Sequence, residues 1–514
     1  MIKNVLSVLL FLIGFQVTIA QSVSGRIVDS ETGAPLSFAD IQINDSSTIM
    51  SNTEGAFTIP EKSVNDATVL TVSFLGYYTE NLTVGELKNI DFLIKMRPGT
   101  FELETVYISN TEIDADSIMA SVRKNLKANY TDSGNPTKNT VFFRESTVIR
   151  PKQVKLEMTQ ATGYSKQQIK DANKELDEFA AKMINYPPMQ FTDKLYNYYT
   201  STKIYKEKPV PVQKIEVVKA VNFKDANRSV TLDDMEKLGA QVLFKHLDAT
   251  KHYRIKSGLI GVRDTIVSNN SFVTDNEYRE SEAQAEKTNQ KSVRSRNWSF
   301  LYSTNILING RFDFINSNEL SELYEYSYAG VTESGDKNNR IFIIKFRPNK
   351  RRAKYTGTLY VSEKDYAIVR ADYTLVEGKK LSGINLKFIL GIKQAENFDK
   401  GTLVYKKRES GEYYLQYASQ ENGQYIYINR PLKFIEITKG DKEKVGFDFK
   451  AEMDQFEKEE YFVISESAIS EADYEAAKEP DFDYIQLGIY DPSVWKEYTT
   501  IEPLEEMKQF KSVE

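Results

Sequence analysis

Short runs in which apolar and polar residues alternate dominate residues 22–97. In one of them Phe57 and Ile59 share a face, after a turn with Asn52 at its first position and Gly55 at its fourth. Alternation with a period of two, interrupted by turn residues, is typical of short, half-buried strands. This segment is therefore predicted to form a small β-sandwich.

Helical periodicity replaces this alternation in the next part of the chain. Apolar residues recur at spacings of three and four in residues 112–130 and 165–184, and a third such pattern begins at Thr231. These patterns predict amphipathic helices that pack one face on a core. Residues 277–297 are polar and charged without a period, which predicts a surface loop.

Alternation returns in residues 298–465 and is sustained there. Arg340–Phe346 is predicted to pair with Thr356–Val361, and residues 386–392 alternate in a strand that follows. Sequential hairpins of this kind predict a large antiparallel meander. The remainder, 466–514, is rich in Glu and Asp and is predicted to be a solvated tail.

The predicted fold class is mainly β with an α+β middle. It consists of an N-terminal seven-stranded β-sandwich, a helix-containing module and a large antiparallel sheet, for which a half-barrel is one possible form. The predicted segments are a signal peptide (1–20), the sandwich (22–97), a linker (98–111), a mixed α/β module (112–297), the meander (298–465) and an acidic tail (466–514).

The first twenty residues have the three parts of a secretory signal peptide. Lys3 supplies the positive charge, Val5–Phe15 the apolar stretch and Thr18–Ala20 a small-residue cleavage site. No later stretch reaches eighteen apolar residues, so no membrane-spanning helix is expected after cleavage. The expected location is the periplasm, with the periphery of the outer membrane as an alternative.

Composition excludes several kinds of chemistry. The 514 residues include no cysteine and only two histidines, His246 and His252, which excludes disulfides, thiolate nucleophiles and Cys-ligated metal clusters. A net charge of −6 gives no reason to expect nucleic acid as a partner. The 31 tyrosines and 28 phenylalanines, against two tryptophans, agree with a strand-rich protein.

The candidate chemistry is sparse. His246 and His252 lack the i, i+4 spacing of a metalloprotease helix, and we interpret them as ordinary residues at a surface helix end. No catalytic residue, metal ligand or cofactor is predicted. A carboxylate-based hydrolase stays open, because the fold and not the sequence spacing sets the separation of its two acids.

One dense basic cluster is present, at residues 350–354. We interpret it as a solvated hairpin turn or as a contact for acidic lipid headgroups or a protein partner. The residues of this basic patch are Lys350, Arg351, Arg352 and Lys354.

Four motifs follow one another in the N-terminal segment: G-R-I-V-D (25–29), T-G-A-P-L (32–36), S-N-T-E-G-A-F (51–57) and S-F-L-G-Y (73–77). In this order they resemble the carboxypeptidase-regulatory-like family, a transthyretin-type sandwich found in Bacteroidota envelope proteins. The resemblance implies a non-catalytic appendage. It also implies structural roles for ten motif residues, which are Gly25, Asp29, Gly33, Pro35, Asn52, Gly55, Phe57, Phe74, Gly76 and Tyr77.

Residues 112–500 are similar to the periplasmic part of an uncharacterised Bacteroidota outer-membrane family. The similarity includes F-F-R-E (142–145) and Y-D-P-S-V-W-K-E-Y (490–498). The C-terminal barrel of that family is absent from this sequence, so no pore is expected. Residues 355–370 resemble a strand pair of half-barrel lipoprotein carriers.

These observations lead to three hypotheses. The first is a non-enzymatic binding or scaffold protein with envelope or outer-membrane proteins as partners, in an outer-membrane assembly or nutrient-uptake complex. The second is a hydrolase of envelope polysaccharide or peptide. The third is a periplasmic carrier of lipid or lipoprotein that uses a half-barrel cavity.

Overall fold

The structure is a computed structural model of the full chain. It describes residues 22–44, 47–60, 65–99, 114–131, 134–223, 245–248, 251–257, 260–267, 293, 313–316, 320–333 and 340–509. Two compact units are formed. The first comprises Met1–Gly99 with Asp491–Leu504, and the second comprises Thr100–Tyr490 with Glu505–Glu514.

The first unit contains the predicted seven-stranded sandwich. Its strands are β1 (Val23–Asp29), β2 (Asp40–Ile43), β3 (Ser47–Met50), β4 (Ala56–Ile59), β5 (Val69–Ser73), β6 (Glu80–Thr83) and β7 (Leu93–Met96). One sheet has the order β4-β1-β7 and the other β3-β2-β5-β6. The alternating apolar side chains, among them Ile27, Ile41 and Leu70, form one buried core. A short helix, α1 (Val84–Asn89), starts at a capping box in which Thr83 and Glu86 satisfy each other's backbone N–H groups.

The second unit is built on long strands. They are β8 (Thr137–Ala161), β9 (Met189–Tyr205), β10 (Lys208–Phe223), β11 (His252–Ser257), β12 (Ile260–Val267), β13 (Tyr324–Glu333), β14 (Arg340–Pro348), β15 (Tyr355–Ser362), β16 (Ile368–Leu375), β17 (Ser382–Leu386), β18 (Ile392–Lys407), β19 (Tyr413–Glu436), β20 (Lys444–Ala468) and β21 (Ile485–Leu487). In the described residues they form one fourteen-stranded sheet, mainly antiparallel, which is not closed.

The helices among the described residues of the second unit are short apart from two. They are α2 (Ala115–Tyr130), α3 (Lys166–Asn185), α4 (Asp313–Asn316), α5 (Leu320–Leu323), α6 (Lys387–Leu390), α7 (Glu471–Ala476) and α8 (Glu505–Lys508). The periodicity of α2 was predicted correctly: Met119 and Val122 are buried in the core of the sheet. The Tyr130 hydroxyl donates to the Ile368 carbonyl at 2.7 Å, which fixes the end of α2 on β16. Every helix in the described ranges is too short or too polar to cross a bilayer.

The predicted division into a mixed module (112–297) and a meander (298–465) differs from the structure, in which strands from both ranges belong to one sheet. β8 and β20 pair from Val445 opposite Ala161 to Ala468 opposite Thr137, so the supposed middle module lies in the interior of the same sheet as the meander. The sheet order is β13-β14-β15-β16-β18-β19-β20-β8-β9-β10-β21. Pairing between strands about three hundred residues apart leaves no local trace in a single sequence, which explains the error.

The strand expected over residues 386–392 is also corrected by the structure. β17 ends at Leu386, one helical turn follows as α6, and β18 begins at Ile392. Gly391, with φ +66°, reverses the chain, and its N–H donates to the Lys387 carbonyl at 3.1 Å. A glycine in the left-handed region ends the turn and sets up a hairpin, which apolar alternation alone does not reveal.

The acidic segment after β20 is exposed but attached to the sheet. Lys203 forms ion pairs with Glu471 and Glu475, and the Ser201 hydroxyl donates to Glu471 at 2.8 Å, so α7 is held against β9. The Lys214 Nζ atom donates to backbone carbonyls at the end of α7, among them that of Tyr474 at 2.8 Å. Glu471 and Glu475 are thus partners of lysines on the sheet.

The last part of the predicted tail belongs to the sandwich unit. Within Asp491–Leu504 the chain forms a 3₁₀ turn at Pro492–Val494, and Trp495 and Ile501 are buried. The remaining predictions, for residues 1–20, most of the linker, the helix from Thr231 and the loop 277–297, lie outside the described residues or almost wholly so.

Candidate functional site

Asp29 organises the turn after β1. Its Oδ1 atom accepts the backbone N–H groups of Glu31 and Thr32, both at 2.8 Å, and the Tyr77 hydroxyl donates to Oδ2 at 2.6 Å. The Tyr77 bond, followed by that from Thr32, lowers the pKa of Asp29 to about 2. The N–H of Gly33 donates to the Asp29 carbonyl at 2.9 Å. The carboxylate therefore fixes a turn and joins it to the S-F-L-G-Y segment.

Asn52 organises a second turn, before β4. Its Oδ1 atom accepts the N–H groups of Glu54 at 2.8 Å and Ala56 at 3.0 Å. Gly55 lies in the left-handed region with φ +73°, and a Cβ there would lie 2.4 Å from the Ile27 carbonyl oxygen. Only glycine meets both conditions, which is why this position in the motif is a glycine.

The amide nitrogen of Asn52 has a different role. It donates to the carbonyls of Glu502 at 3.1 Å and Pro503 at 3.3 Å, so a motif turn of the sandwich holds an extended segment from the end of the chain. Asn52 itself is fully buried. The turn is thus both an internal structural element and a binding site for a peptide backbone.

The remaining motif residues make core or turn contacts of the sandwich. A Cβ on Gly25 would lie 2.6 Å from the Phe57 ring, so the glycine makes room for this buried side chain. Phe74 packs against the core, and the Gly76 carbonyl accepts the Gly99 N–H at 2.7 Å. Pro35 forms a bridge to β1. The structure places all ten motif residues in the sandwich and gives them structural contacts.

A groove of about 390 Å³ lies on the large sheet, across β15, β16, β18, β19 and β20. Its lining is mostly polar and we call it the polar groove. The lining residues are Tyr355, Tyr373, Leu381, Glu396, Phe398, Asp399, Gln420, Asn422, Gly423, Gln424, Gln455 and Glu457.

A row of side-chain amides crosses three strands at this groove. Gln394 donates to Gln424 at 2.9 Å, Gln424 donates to Gln455 at 3.0 Å, and Gln455 donates to Glu457 at 2.8 Å. Each amide carries two N–H donors and two oxygen lone pairs, so the row retains capacity for further hydrogen bonds after these contacts. Such a row suits a neutral polar ligand, such as a saccharide or a peptide backbone, that both donates and accepts.

Aromatic residues form one wall of the groove. The Tyr355 hydroxyl donates to Asp399 at 2.7 Å, and the Tyr355 and Tyr373 rings meet edge to face with centroids 5.6 Å apart. Burial, followed by the bond to Asp399, raises the pKa of Tyr355 well above its ordinary value, so the hydroxyl stays protonated. Gly401 allows this packing, because a Cβ there would lie 2.4 Å from the Tyr373 hydroxyl oxygen.

Three carboxyl groups line the groove, those of Glu396, Asp399 and Glu457. Asp399 is buried and accepts from Tyr355, whereas Glu457 is exposed. Within the described ranges, no cluster of three or more His, Asp or Glu side chains is arranged to hold a metal ion. The side chains that line the groove can therefore form hydrogen bonds with a ligand, and three of them carry carboxyl groups.

The basic patch lies in the turn between β14 and β15. Lys350, Arg351 and Arg352 are exposed, while Lys354 is half-buried and donates to the Leu381 carbonyl at 3.0 Å. Leu381 lines the polar groove, so the patch adjoins its rim. The structure thus agrees with a hairpin turn, and a contact with lipid or protein stays a prediction.

The two histidines have different surroundings, and the helix predicted before His246 lies outside the described residues. His252 begins β11, and His246 is next to Tyr164 and Phe447, with ring centroids 6.3 and 6.4 Å away. Burial, followed by the charge of Lys245, lowers the pKa of His246, so it is neutral at pH 7. His246 therefore acts as an aromatic packing residue at the edge of a core.

In its described residues the chain is a mainly β protein, in which a seven-stranded sandwich accompanies an open antiparallel sheet. The CarboxypepD_reg-like domain family matches residues 23–108, a range that includes β1 to β7. The sandwich is therefore a carboxypeptidase-regulatory-like domain, a regulatory and non-catalytic fold. Comparison with curated proteins gives no match.

Sequence reasoning found the sandwich motifs and missed the groove. The groove residues come from five strands between Tyr355 and Glu457, and alternating Gln and Asn on strands is ordinary for a solvated sheet face. One available signal was the run Q-E-N-G-Q (420–424), in which polar residues replace the apolar members of a long strand. A strand with few apolar residues on either face indicates a polar site or a solvated face.

Proposed function

We propose that the chain is a non-enzymatic binding protein of the cell envelope, in the periplasm or at the periphery of the outer membrane, with envelope or outer-membrane proteins as partners. The observation that carries this proposal is the amide row of the polar groove, from Gln394 to Glu457. Amides bind polar ligands without activating a bond, and the N-terminal domain is of a regulatory, non-catalytic fold.

Three further observations support the setting. The leader has signal-peptide composition, the sequence resembles the periplasmic part of a Bacteroidota outer-membrane family, and the sandwich holds an extended backbone through Asn52. An outer-membrane assembly or nutrient-uptake complex is the natural context. An apolar lipid cargo does not suit a groove of amides and carboxylates.

The test is affinity purification of the tagged full chain from envelopes solubilised at several detergent strengths. The groove variant Gln424→Leu/Gln455→Leu replaces two mutually bonded amides by apolar groups of similar size. Gln394 and Glu457 each lose a partner, but neither residue is buried, so water can replace the lost bonds. Gln167→Leu/Gln486→Leu, at exposed positions outside the groove, is the matched control. We expect a stoichiometric envelope partner with wild type and control, and its loss with the groove variant. Recovery of the wild-type chain alone at every detergent strength contradicts the proposal.

A hydrolase is the second candidate, because Glu396, Asp399 and Glu457 line the same groove. Two carboxyl groups roughly 5–9 Å apart are the minimum that glycoside hydrolysis requires. The check is release of reducing ends from purified envelope polysaccharide by wild type and by Glu457→Gln. Release by wild type that the substitution abolishes would establish catalysis and overturn the binding proposal.

A further inference from the structure

The hairpin formed by β17, α6 and the start of β18 presents large apolar side chains to solvent. Phe388 is 99% exposed and Ile389 71% exposed, and Ile384 and Leu386 are exposed beside them. We call these four residues the apolar tip. Single exposed apolar residues are ordinary, but a phenylalanine with almost its whole surface in water, next to three aliphatic side chains, marks an interaction site.

The backbone holds the apolar tip in this position. β17 pairs with β18 from Ser382 opposite Glu396 to Leu386 opposite Ile392. The Asn429 N–H donates to the Gly391 carbonyl at 2.7 Å, and a Cβ on Gly391 would lie 2.0 Å from the Asn429 carbonyl oxygen. The hairpin is therefore attached to β19 through the backbone bond between Asn429 and Gly391. With the hairpin held in this way, the turn exposes Phe388 and Ile389 to solvent.

Basic residues flank the apolar tip on its own hairpin and on β19, whereas Glu452 and Asp454 lie one strand further away on β20. Ser382–Ala395 and Tyr425–Ile435, which are paired over much of their length, contain four basic residues and no acidic residue, whereas the chain has a net charge of −6. The Lys387 ammonium lies 4.2 Å from the centre of the Tyr427 ring, and that of Lys393 lies 4.9 Å from the Tyr425 ring. The apolar tip is thus bordered by two lysines, each of which makes a cation–π contact with a tyrosine ring.

We propose that the apolar tip inserts into the surface of a bilayer that contains anionic phospholipid. Phenylalanine and aliphatic side chains enter the boundary of the acyl region, while tyrosine and lysine favour the headgroup level, and lysine is attracted by anionic lipid. A second copy of the chain is the alternative occupant, and the experiment below distinguishes it from a bilayer. This inference extends the proposed peripheral location and does not depend on a ligand in the polar groove.

The experiment is flotation of the full chain with vesicles of phosphatidylethanolamine and phosphatidylglycerol. The test variant is Phe388→Ser/Ile389→Ser. The matched control is Ile204→Ser/Tyr205→Ser at the end of β9, where Ile204 is also 71% exposed. Residues 1–20 are present in all three proteins, so any contribution of this apolar segment to vesicle binding is the same in each. A loss of binding that is seen only in the test variant therefore reports on the apolar tip.

We expect wild type and control to float with the vesicles. The affinity of the test variant for the vesicles should be lower by roughly tenfold or more, because two apolar side chains no longer leave water on binding. Vesicles of phosphatidylcholine alone, or high salt, should weaken the binding of wild type, because the lysine contribution is electrostatic. In a Phe388→Trp variant, brominated lipids should quench the new fluorescence, whereas Ile204→Trp should show no such quenching.

Equal flotation of wild type and the test variant would overturn the proposal, as would failure of wild type to bind anionic vesicles. A self-association in sedimentation that Phe388→Ser/Ile389→Ser abolishes, without vesicle binding, would assign the apolar tip to a second copy. The groove variant Gln424→Leu/Gln455→Leu should float like wild type, so failure here and failure of the proposed function are distinguishable.

Discussion

The sandwich and the large sheet bury polar groups in different ways. In the sandwich, Asp29 and Asn52 accept N–H groups two to four residues along the chain, and the long-range bonds with Tyr77 and Glu502 are added to these local ones. In the sheet, the buried charges meet across strands. Arg144 forms two parallel hydrogen bonds to Asp193, 49 residues away, at 2.7 and 2.8 Å. The backbone of the sandwich turns is thus specified by local motifs, and the buried charges of the sheet are specified by long-range pairing.

The buried charges of the sheet continue beyond this pair. Arg144 lies opposite Glu460 on β20, and Glu460 is bonded by Lys458 at 2.9 Å and by the Tyr417 hydroxyl at 3.1 Å. Burial alone would lower the pKa of Arg144, but the Asp193 carboxylate more than offsets this and the net shift is upward. These charges therefore fix the register of β8, β9, β19 and β20, since a one-residue slip would leave them buried without partners.

The largest expected effect comes from breaking the pair. Arg144→Ala should lower the free energy of unfolding of the sheet by about 3–5 kcal/mol, because Asp193 is left as a buried charge. Arg144→Met/Asp193→Leu should recover most of that loss, since both charges are removed together. Denaturant-dependent hydrogen exchange of β8 and β9 measures both.

The control for this experiment is an exposed pair in the same sheet. Arg347 donates to Glu325 with two nitrogens, but both side chains are exposed. Arg347→Ala should cost at most about 1 kcal/mol. If Arg144→Ala costs no more than Arg347→Ala, the buried charges do not specify the sheet and the contrast with the sandwich fails.

The second effect concerns the motif turn that also contacts the segment Asp491–Leu504. Asn52→Asp keeps the acceptor for Glu54 and Ala56 but turns a carboxylate oxygen towards the Glu502 and Pro503 carbonyls. It should destabilise the attachment of Asp491–Leu504 by about 1–3 kcal/mol. Faster hydrogen exchange and earlier proteolysis of that segment, with the sandwich still folded, are the expected results.

Asn65→Asp is the matched control for this change. Asn65 accepts the Ala67 N–H at 2.9 Å on the exposed surface of the same sandwich. Its substitution should leave Asp491–Leu504 unchanged. Equal exchange of that segment in the two variants would mean that the amide of Asn52 does not hold it.

The same contrast explains what could be predicted from the sequence. The sandwich strands and the helices α2 and α3 follow from patterns within about twenty residues, and the structure agrees. The exposed Phe388 has a local cause, the left-handed turn at Gly391, which apolar alternation does not reveal. Two other differences arose where long-range contacts decide: the pairing of β8 with β20, and the bonds of Glu471 and Glu475 to Lys203 and Lys214. The polar groove was missed for the same reason, because its residues converge only after the strands have paired.

A third prediction concerns pH and acts on the sandwich alone. The folded pKa of Asp29 is lowered to about 2, below the value of 3.8 for a free carboxyl, so its contribution to stability is complete above about pH 4 and is lost as the pH falls towards 2. Asp29→Asn should remove this part of the pH dependence, and Tyr77→Phe should raise the pKa of Asp29. Titration by NMR tests this directly. A normal pKa in the wild-type chain would mean that the Tyr77 bond does not form.

The smallest stability effect is expected at the basic patch. Lys350→Glu/Arg351→Glu reverses two exposed charges at the β14–β15 turn and should change the free energy of unfolding by no more than about 0.5 kcal/mol, because both side chains are on the surface. Lys354 is left intact, since its bond to the Leu381 carbonyl supports the rim of the groove. If the patch contacts acidic lipid or an acidic partner, the double variant should lose envelope association in a salt-dependent manner at unchanged stability. If association is unchanged, the patch is a solvated turn, and the apolar tip alone remains as the candidate for membrane contact.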